Sequence, residues 1–168
     1  NKNLLIVGCG GHAKVISDIA KSIGFKNILY FDKDPKKKFF LGEKVNHSKV
    51  ENYIEYFFVA IGNNFIREKI MTQFIKNNPN AIAATLIHPS SIISKNCSIA
   101  EGTVVMPLCV INNSSNVGKG VIINTKSVIE HDNHIMNFSS IAPGVVTGGN
   151  VKIGESSVIA IGSVIKDG

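Results

Sequence analysis

No run of apolar residues approaches the roughly 18 to 20 that a bilayer-crossing helix requires, so the sequence predicts no membrane span. The opening Asn1-Lys2-Asn3 before Leu4-Leu5-Ile6-Val7 is too short in its apolar part for a secretory signal. Cysteine is scarce and odd in number. Cys9, Cys97 and Cys109 argue against a disulfide framework and read as reduced packing residues of a cytoplasmic protein. Aromatic residues make up only 7%, and none interleaves with the basic residues, so the net charge of +6 does not imply a nucleic-acid partner. The one basic concentration is Lys33 with Lys36-Lys37-Lys38, beside Asp32 and Asp34. It reads as a solvated loop that also attracts polyanionic small molecules.

What the chain does have is a period of six. From Ile93 to Ile165, thirteen positions spaced six apart are aliphatic in every case but Thr147. Four residues after an aliphatic comes a small or slim residue at Cys97, Thr103, Cys109, Ser115, Ser127, Ser139, Ser157 and Ser163. This is neither the helical period nor strand alternation. It predicts a hexapeptide solenoid with three flat walls per coil, the aliphatic pointing inward and the slim residue fitting a corner. The last residues, Lys166-Asp167-Gly168, fall in mid-coil, so further coils are expected beyond them. Pro143-Gly144 through Gly148-Gly149 is the irregular patch, readable either as an approach for a ligand or as a tolerated bulge.

The first half follows other rules. Leu4–Val7 reads as a buried strand and leads through Gly8-Cys9-Gly10-Gly11-His12 into a helix with Val15, Ile16, Ile19, Ala20 and Ile23 inward. Further strands are expected at Asn27–Phe31 and Phe57–Ile61. A second helix follows with Ile66, Ile70, Met71, Phe74 and Ile75 inward, and Ala84–Ile87 returns to the sheet. The fold class is therefore a small Rossmann-like α/β domain over 1–87, then a parallel β-helix of hexapeptide repeats over 88–168, with a hinge at His88-Pro89-Ser90-Ser91.

Two clusters could carry chemistry. Gly8-x-Gly10-x-x-Ala13 follows a strand and opens a helix, the setting of a phosphate-binding turn. Asp32 closes the next strand, where an acid meets a ribose hydroxyl in nucleotide folds. Tight packing explains such glycines equally well. The second cluster is Asn124-Thr125 with Glu130-His131-Asp132-Asn133-His134. His131 lies near a corner, facing outward, and a carboxylate from Asp132 or Glu130 would orient it as a general base. His131 and His134 provide only two of the three ligands a zinc ion needs, so no metal is expected.

These residues, with Ala60-Ile61-Gly62-Asn63-Asn64, Arg67 and Gly149-Asn150-Val151-Lys152-Ile153-Gly154, occur in an order that resembles the acetyltransferases of bacterial amino-sugar pathways. That family comprises the N-acetyltransferases of nucleotide-linked 4-amino-4,6-dideoxysugars and the related sialic acid O-acetyltransferases. The resemblance covers essentially the whole chain. It implies a left-handed β-helix, a homotrimer, and acetyl-CoA lying between adjacent β-helices. Carried over, Gly10, Gly11, His12, Asp32, Lys33, Gly62 and Asn124 would bind the nucleotide-linked amino sugar. His131 would be the base and Asp132 its tuning residue. Gly149 N–H would lie near the thioester carbonyl, with Ser140 and Ile161 beside the coenzyme. Ser140 departs from the family, whose members often carry a histidine there. Sialic acid O-acetylation, a non-catalytic nucleotide-sugar-binding trimer and a hexapeptide carbonic anhydrase are the alternative readings.

Overall fold

The computed structural model describes residues 3–48 and 54–168; Asn1 and Lys2, where the segment read for a secretory signal begins, lie outside them. The chain forms two compact units, one ending at Ala84 and one spanning Thr85–Gly168. Among the described residues no helix is long and apolar enough to cross a membrane.

The amino-terminal unit contains β1 (Asn3–Val7), α1 (Gly11–Ser22), β2 (Asn27–Phe31), β3 (Phe39–Phe40), β4 (Glu43–Asn46), β5 (Tyr56–Val59), α2 (Asn64–Asn77) and β6 (Ile82–Ala83). Leu4, Leu5, Ile6 and Val7 are buried on both faces, as a central parallel strand requires, and β1 pairs in parallel with both β2 and β5. The sheet order is β3-β4-β2-β1-β5-β6, parallel except for the short β3–β4 hairpin at one edge.

Helix α1 buries the expected Ile16, Ile19 and Ala20, whereas α2 departs further from the face the apolar pattern predicts. In α1 the buried set is Ala13, Ile16, Ser17, Ile19 and Ala20, while Val15 and Ile23 remain exposed. Ser17 is taken inside by hydrogen bonds, its Oγ donating to Ala13 O at 2.7 Å and accepting from Tyr30 Oη at 3.1 Å. In α2 the expected Ile66 is half exposed and Ile70, Phe74 and Ile75 are half-buried. Met71 is buried as expected, and the unforeseen Asn64 and Arg67 share the inner face with it. Hydrogen-bond demand at the mouth of this helix outweighs apolar burial there.

The second unit is a left-handed parallel β-helix built of two-residue strands. The first wall stacks Leu86–Ile87, Val104–Val105, Ile122–Ile123, Ser140–Ile141 and Val158–Ile159. The second stacks Ile92–Ile93, Val110–Ile111, Val128–Ile129, Val146–Thr147 and Val164–Ile165. The third stacks Ser98–Ile99, Asn116–Val117, His134–Ile135 and Lys152–Ile153. The second residue of each pair points inward, and Val105, Ile111, Ile123, Ile129 and Ile141 are wholly buried. Leu86–Ile87 belongs to this stack rather than to the amino-terminal sheet, because Leu86 N donates to Thr103 O at 2.9 Å. His88-Pro89, the expected hinge, lies within the first coil, where His88 N donates to Val105 O at 2.9 Å.

Every corner from Gly102 to Gly162 is turned by one residue in the left-handed region, at intervals of six and with φ of 52–70°. Seven of these residues are not glycine, among them Leu108, Asp132 and Phe138. The slim residues at the corners do more than fit. Cys97 Sγ, Thr103 Oγ1, Cys109 Sγ, Ser115 Oγ and Ser127 Oγ each donate to the carbonyl fifteen residues further on, at 2.7–3.0 Å. Each thus adds a side-chain donor to a corner carbonyl of the next coil.

Candidate active site

The glycine turn after β1 is held from outside. Cys9 N donates to Asp32 Oδ2 at 2.8 Å, Asp34 N to Asp32 Oδ1 at 2.9 Å, and Lys37 Nζ pairs with Asp32 Oδ2 at 2.7 Å. Burial pushes the Asp32 carboxyl up, but the Lys37 hydrogen bond and the Asp34 and Cys9 amides outweigh it and hold it below the ordinary carboxylate range. Burial, with the Asp32 charge, raises the Cys9 thiol to about 11, so it stays protonated and unreactive. Three of the roughly four acceptor positions of Asp32 are therefore taken by the chain itself.

Gly8 has φ +100°, a left-handed backbone that favours glycine, and a Cβ there would also crowd Ala60 O at 3.2 Å, so the turn itself demands this glycine. Gly10, Gly11 and Gly62 differ: none has positive φ, and a Cβ on any of them would meet nothing within 4 Å. The chain's own packing does not require these three. Helix α1 begins at Gly10 with no side-chain cap and no acid in its first turn, whereas α2 is capped by Asn63 Oδ1 accepting from Ile66 N at 3.0 Å. The open amides of α1 favour an anion. A cavity of about 710 Å³ opens beside Asp32 and the exposed Lys33, lined by Leu5, Val7, Phe31, Ile61 and Phe74. That volume suits a small-molecule ligand.

His12 and Arg67 lie in the same unit. Arg67 is buried, with Nη1 donating to Ile61 O and Gly62 O at 3.0 Å each and Nη2 to Asn64 Oδ1 at 2.7 Å, so it ties down the turn containing Gly62. Burial lowers the Arg67 guanidinium to about 10, still charged at neutral pH. His12 Nε2 is enclosed without a hydrogen-bond partner among the described residues. Burial, then the Arg67 charge, pushes this imidazole down to about 4, so it is neutral.

In the β-helix, His131 and Asp132 form the corner between the second and third walls. His131 Nδ1 lies 2.7 Å from Asp132 Oδ2, and both side chains are mostly exposed, at 62% and 56%. The hydrogen bond to Asp132 raises the imidazole pKa above its usual value. Of the two carboxylates, Asp132 is the orienting one; Glu130 Oε2 accepts from Asn112 Nδ2 at 3.0 Å. Eighteen residues on, and so one coil further, Gly149 lies against the ring: a Cβ there would fall 2.5 Å from His131 Cε1. Gly149 is buried, and its N–H has no acceptor among the described residues. Packing, rather than any turn, demands this glycine.

Under that corner the sheet is irregular. Elsewhere the residue after the inward aliphatic donates its N–H to the aliphatic one coil on, as Asn112 N does to Ile129 O at 2.8 Å. Glu130 N instead donates to the hydroxyl of Thr147 at 3.1 Å, and only Val128 and Val146 remain paired between those strands. Asn133, wholly buried, sends Nδ2 to Glu130 O at 2.6 Å, Thr147 Oγ1 at 3.1 Å and Gly148 O at 3.0 Å. Its Oδ1 accepts from Val151 N at 2.9 Å. The sequence marks Thr147 as the break in the aliphatic row. Asn133 is an amide in a slot for small residues, a signal that the polar run around it conceals.

The remaining expected positions do not converge within one chain. Asn124 Oδ1 accepts from Thr125 N at 2.8 Å on the corner between the first and second walls. Ser140 lies on the first wall, and Ile161 is 78% exposed on another corner between the first and second walls. His134 points outward from the third wall, and no three His, Cys, Asp or Glu side chains among the described residues are grouped to hold a metal ion.

Comparison with known proteins adds relatives over both units. The PglD N-terminal domain family matches residues 3–74. The chain is 34% identical to the UDP-N-acetylbacillosamine N-acetyltransferase of Bacillus subtilis (strain 168) over 109 residues, 60% of this chain and 50% of that protein. It thus spans about half the length of the curated relatives it matches. The acetyltransferase domain of PglB from Neisseria gonorrhoeae FA1090, solved with acetyl coenzyme A, superposes with a TM-score of 0.88 at 32% identity. That likeness covers 98% of this chain and 82% of that one. PerB from Caulobacter crescentus, solved with CoA and GDP-perosamine, gives 0.80 at 29% identity, covering 99% and 91%.

Proposed function

The chain belongs to the bacterial nucleotide-amino-sugar N-acetyltransferase family, and on that premise we propose that it transfers the acetyl group of acetyl-CoA to the 4-amino group of a nucleotide-linked 4-amino-4,6-dideoxysugar. The observation that carries this reading is the outward His131–Asp132 pair, 2.7 Å apart, seated on the backbone of Gly149. With Nδ1 engaged by Asp132, Nε2 is left to take a proton. The amine nitrogen attacks the thioester carbonyl, the C–N bond forms, and the C–S bond breaks to release the coenzyme thiolate. His131 accepts the amine proton and passes it to the thiolate or to water. Such general-base help supplies about 10²–10⁴-fold.

Gly149 is buried, and its N–H has no acceptor among the described residues, which leaves it available to a ligand oxygen. It suits the thioester oxygen as negative charge develops there. In the amino-terminal unit, the open amides of α1, the bare Gly10, Gly11 and Gly62, and the cavity beside Asp32 and Lys33 suit a nucleotide diphosphate and its nucleoside. Neutral His12 offers a ring nitrogen to the sugar without adding charge.

The acting form on this reading is a cytoplasmic homotrimer with acetyl-CoA between adjacent β-helices, where Ser140 and Ile161 lie beside the coenzyme. The outward residues of the second wall support it: Ile92, Val110, Val128, Val146 and Val164 form an aliphatic stripe, one per coil. The third wall presents Ser98, Asn116, His134 and Lys152 in the same positions, as a solvated wall would. The function is tested by following thiol release from acetyl-CoA with a panel of nucleotide 4-amino-sugars. Wild type turns over at least one of them and His131→Ala loses about 10²-fold or more. Near-normal turnover by His131→Ala removes the base from His131. Acetylation of free sialic acid instead of any nucleotide sugar overturns the substrate.

A further inference from the structure

The irregular rung beneath His131 has no counterpart elsewhere along the second wall, where Asn112 N to Ile129 O and Gly148 N to Ile165 O are ordinary backbone bonds. Thr147 stands where twelve other hexads carry an aliphatic residue, and Asn133 where eight carry a serine, threonine or cysteine. Both are wholly buried. A polar pair in a core costs stability unless satisfied, and an aliphatic residue with a small hydroxyl would serve the fold more simply.

The pair is satisfied by the backbone of the candidate site. Thr147 Oγ1 holds Glu130 N, the amide just before His131. Asn133 Nδ2 holds Glu130 O, Thr147 Oγ1 and Gly148 O, and so bridges the strand that carries His131 to the strand that carries Gly149. The Thr147 carbonyl is thereby released from the rung it would make in a regular coil. Directly after it in the chain come Gly148 and Gly149, and the Gly149 backbone lies against the imidazole.

We propose that Thr147 and Asn133 are positioning residues of the transfer reaction: their buried hydrogen bonds open the sheet by one rung and set the Gly149 backbone against the His131 ring. This inference rests on the acetyltransferase reading above and assigns neither residue a contact with substrate. The corner keeps its usual register, since Asn150 N donates to His131 O at 2.9 Å as Asp132 N does to Asn113 O, so a restored backbone rung would act by drawing Thr147 onto Glu130 and changing the spacing beneath the ring. Misplacements of about 1 Å cost about 10²-fold in rate.

The test is Thr147→Val, alone and with Asn133→Ser, in the full chain. Both changes restore the residues the other hexads use, so thermal stability should be unchanged or higher. Turnover should fall about 10- to 100-fold with the KM for acetyl-CoA little altered, and Thr147→Ser, which keeps the hydroxyl, should recover most of it. Wild-type kcat in Thr147→Val overturns the proposal. So does a fall in melting temperature that matches the loss of turnover and is reversed by Ser, since that outcome marks a structural role alone. Failure of the acetyltransferase reading looks different: wild type itself would then release no thiol.

Discussion

The proton on His131 is governed chiefly by Asp132, with a smaller contribution from the Glu130 charge, which gives the site a pH signature. Asp132 stabilises the imidazolium and raises its pKa. The neutral form, the base of the proposed mechanism, is therefore lost as pH falls through a value above the ordinary 6.5. Removing the charge with Asp132→Asn lowers that pKa, so the acid limb of kcat/KM should shift to lower pH while the plateau falls about tenfold or more. Asn tolerates the left-handed backbone that Asp132 adopts at φ 59°, so the corner should survive the change. An unmoved acid limb in a pH–rate profile would assign the titration to another group. His12 predicts the opposite kind of dependence. Its folded pKa, pushed down to about 4, lies below the unfolded value near 6.5. The stability tied to its neutral state is complete above 6.5 and drains as pH falls toward 4, by about 2 kcal/mol at pH 5. His12→Gln should narrow the difference in melting temperature between pH 7 and pH 5, read by circular dichroism.

At the scale of elements, two glycines that look alike in sequence do different work. Gly149 lies beneath an imidazole that a Cβ would strike at 2.5 Å, whereas Gly144, with φ +70°, faces open space. Gly149→Ala should displace His131 and cost about 10²-fold in turnover with little change in stability. Gly144→Ala should cost about 1–2 kcal/mol of stability with turnover kept, as compared by thiol release and thermal melts. The β-helix was legible in the sequence because a period of six, taken three times, is one coil, and residues 18 apart must then stack. That arithmetic placed His131 on an outward corner. It could not reveal that Gly149 touches the ring, since contact between coils depends on side-chain direction as well as register. The amino-terminal helices were harder to read. Apolar spacing put Ile66 inside α2, but the carbonyls of Ile61 and Gly62 needed a donor, and Arg67 took the position. The β3–β4 hairpin went unread because its strands of two and four residues are too short to show a period. Lys37 folds back five residues to Asp32, a tie that charge pattern alone does not disclose.

At the scale of the whole molecule, the walls of the β-helix differ most on their outward faces. All three point aliphatics inward except at Thr147, yet only the second also points an aliphatic outward in every coil, from Ile92 to Val164. Within the stripe Val110 and Val128 are half-buried and Val146 is 38% exposed, an apolar strip that a partner surface would remove from water. His131 comes directly after the second-wall strand Val128–Ile129 and Glu130, so a copy packed on this stripe would come close to the base. Val128→Lys introduces a charge at the middle of the stripe without touching the buried row. It should shift the assembly from the proposed trimer toward the 18.1 kDa single chain in sedimentation velocity, with melting of the β-helix little changed. Turnover should fall in step with dissociation and recover as protein concentration rises, because a cleft between copies exists only where copies associate. A variant that dissociates fully and keeps wild-type turnover would place the coenzyme on one chain alone.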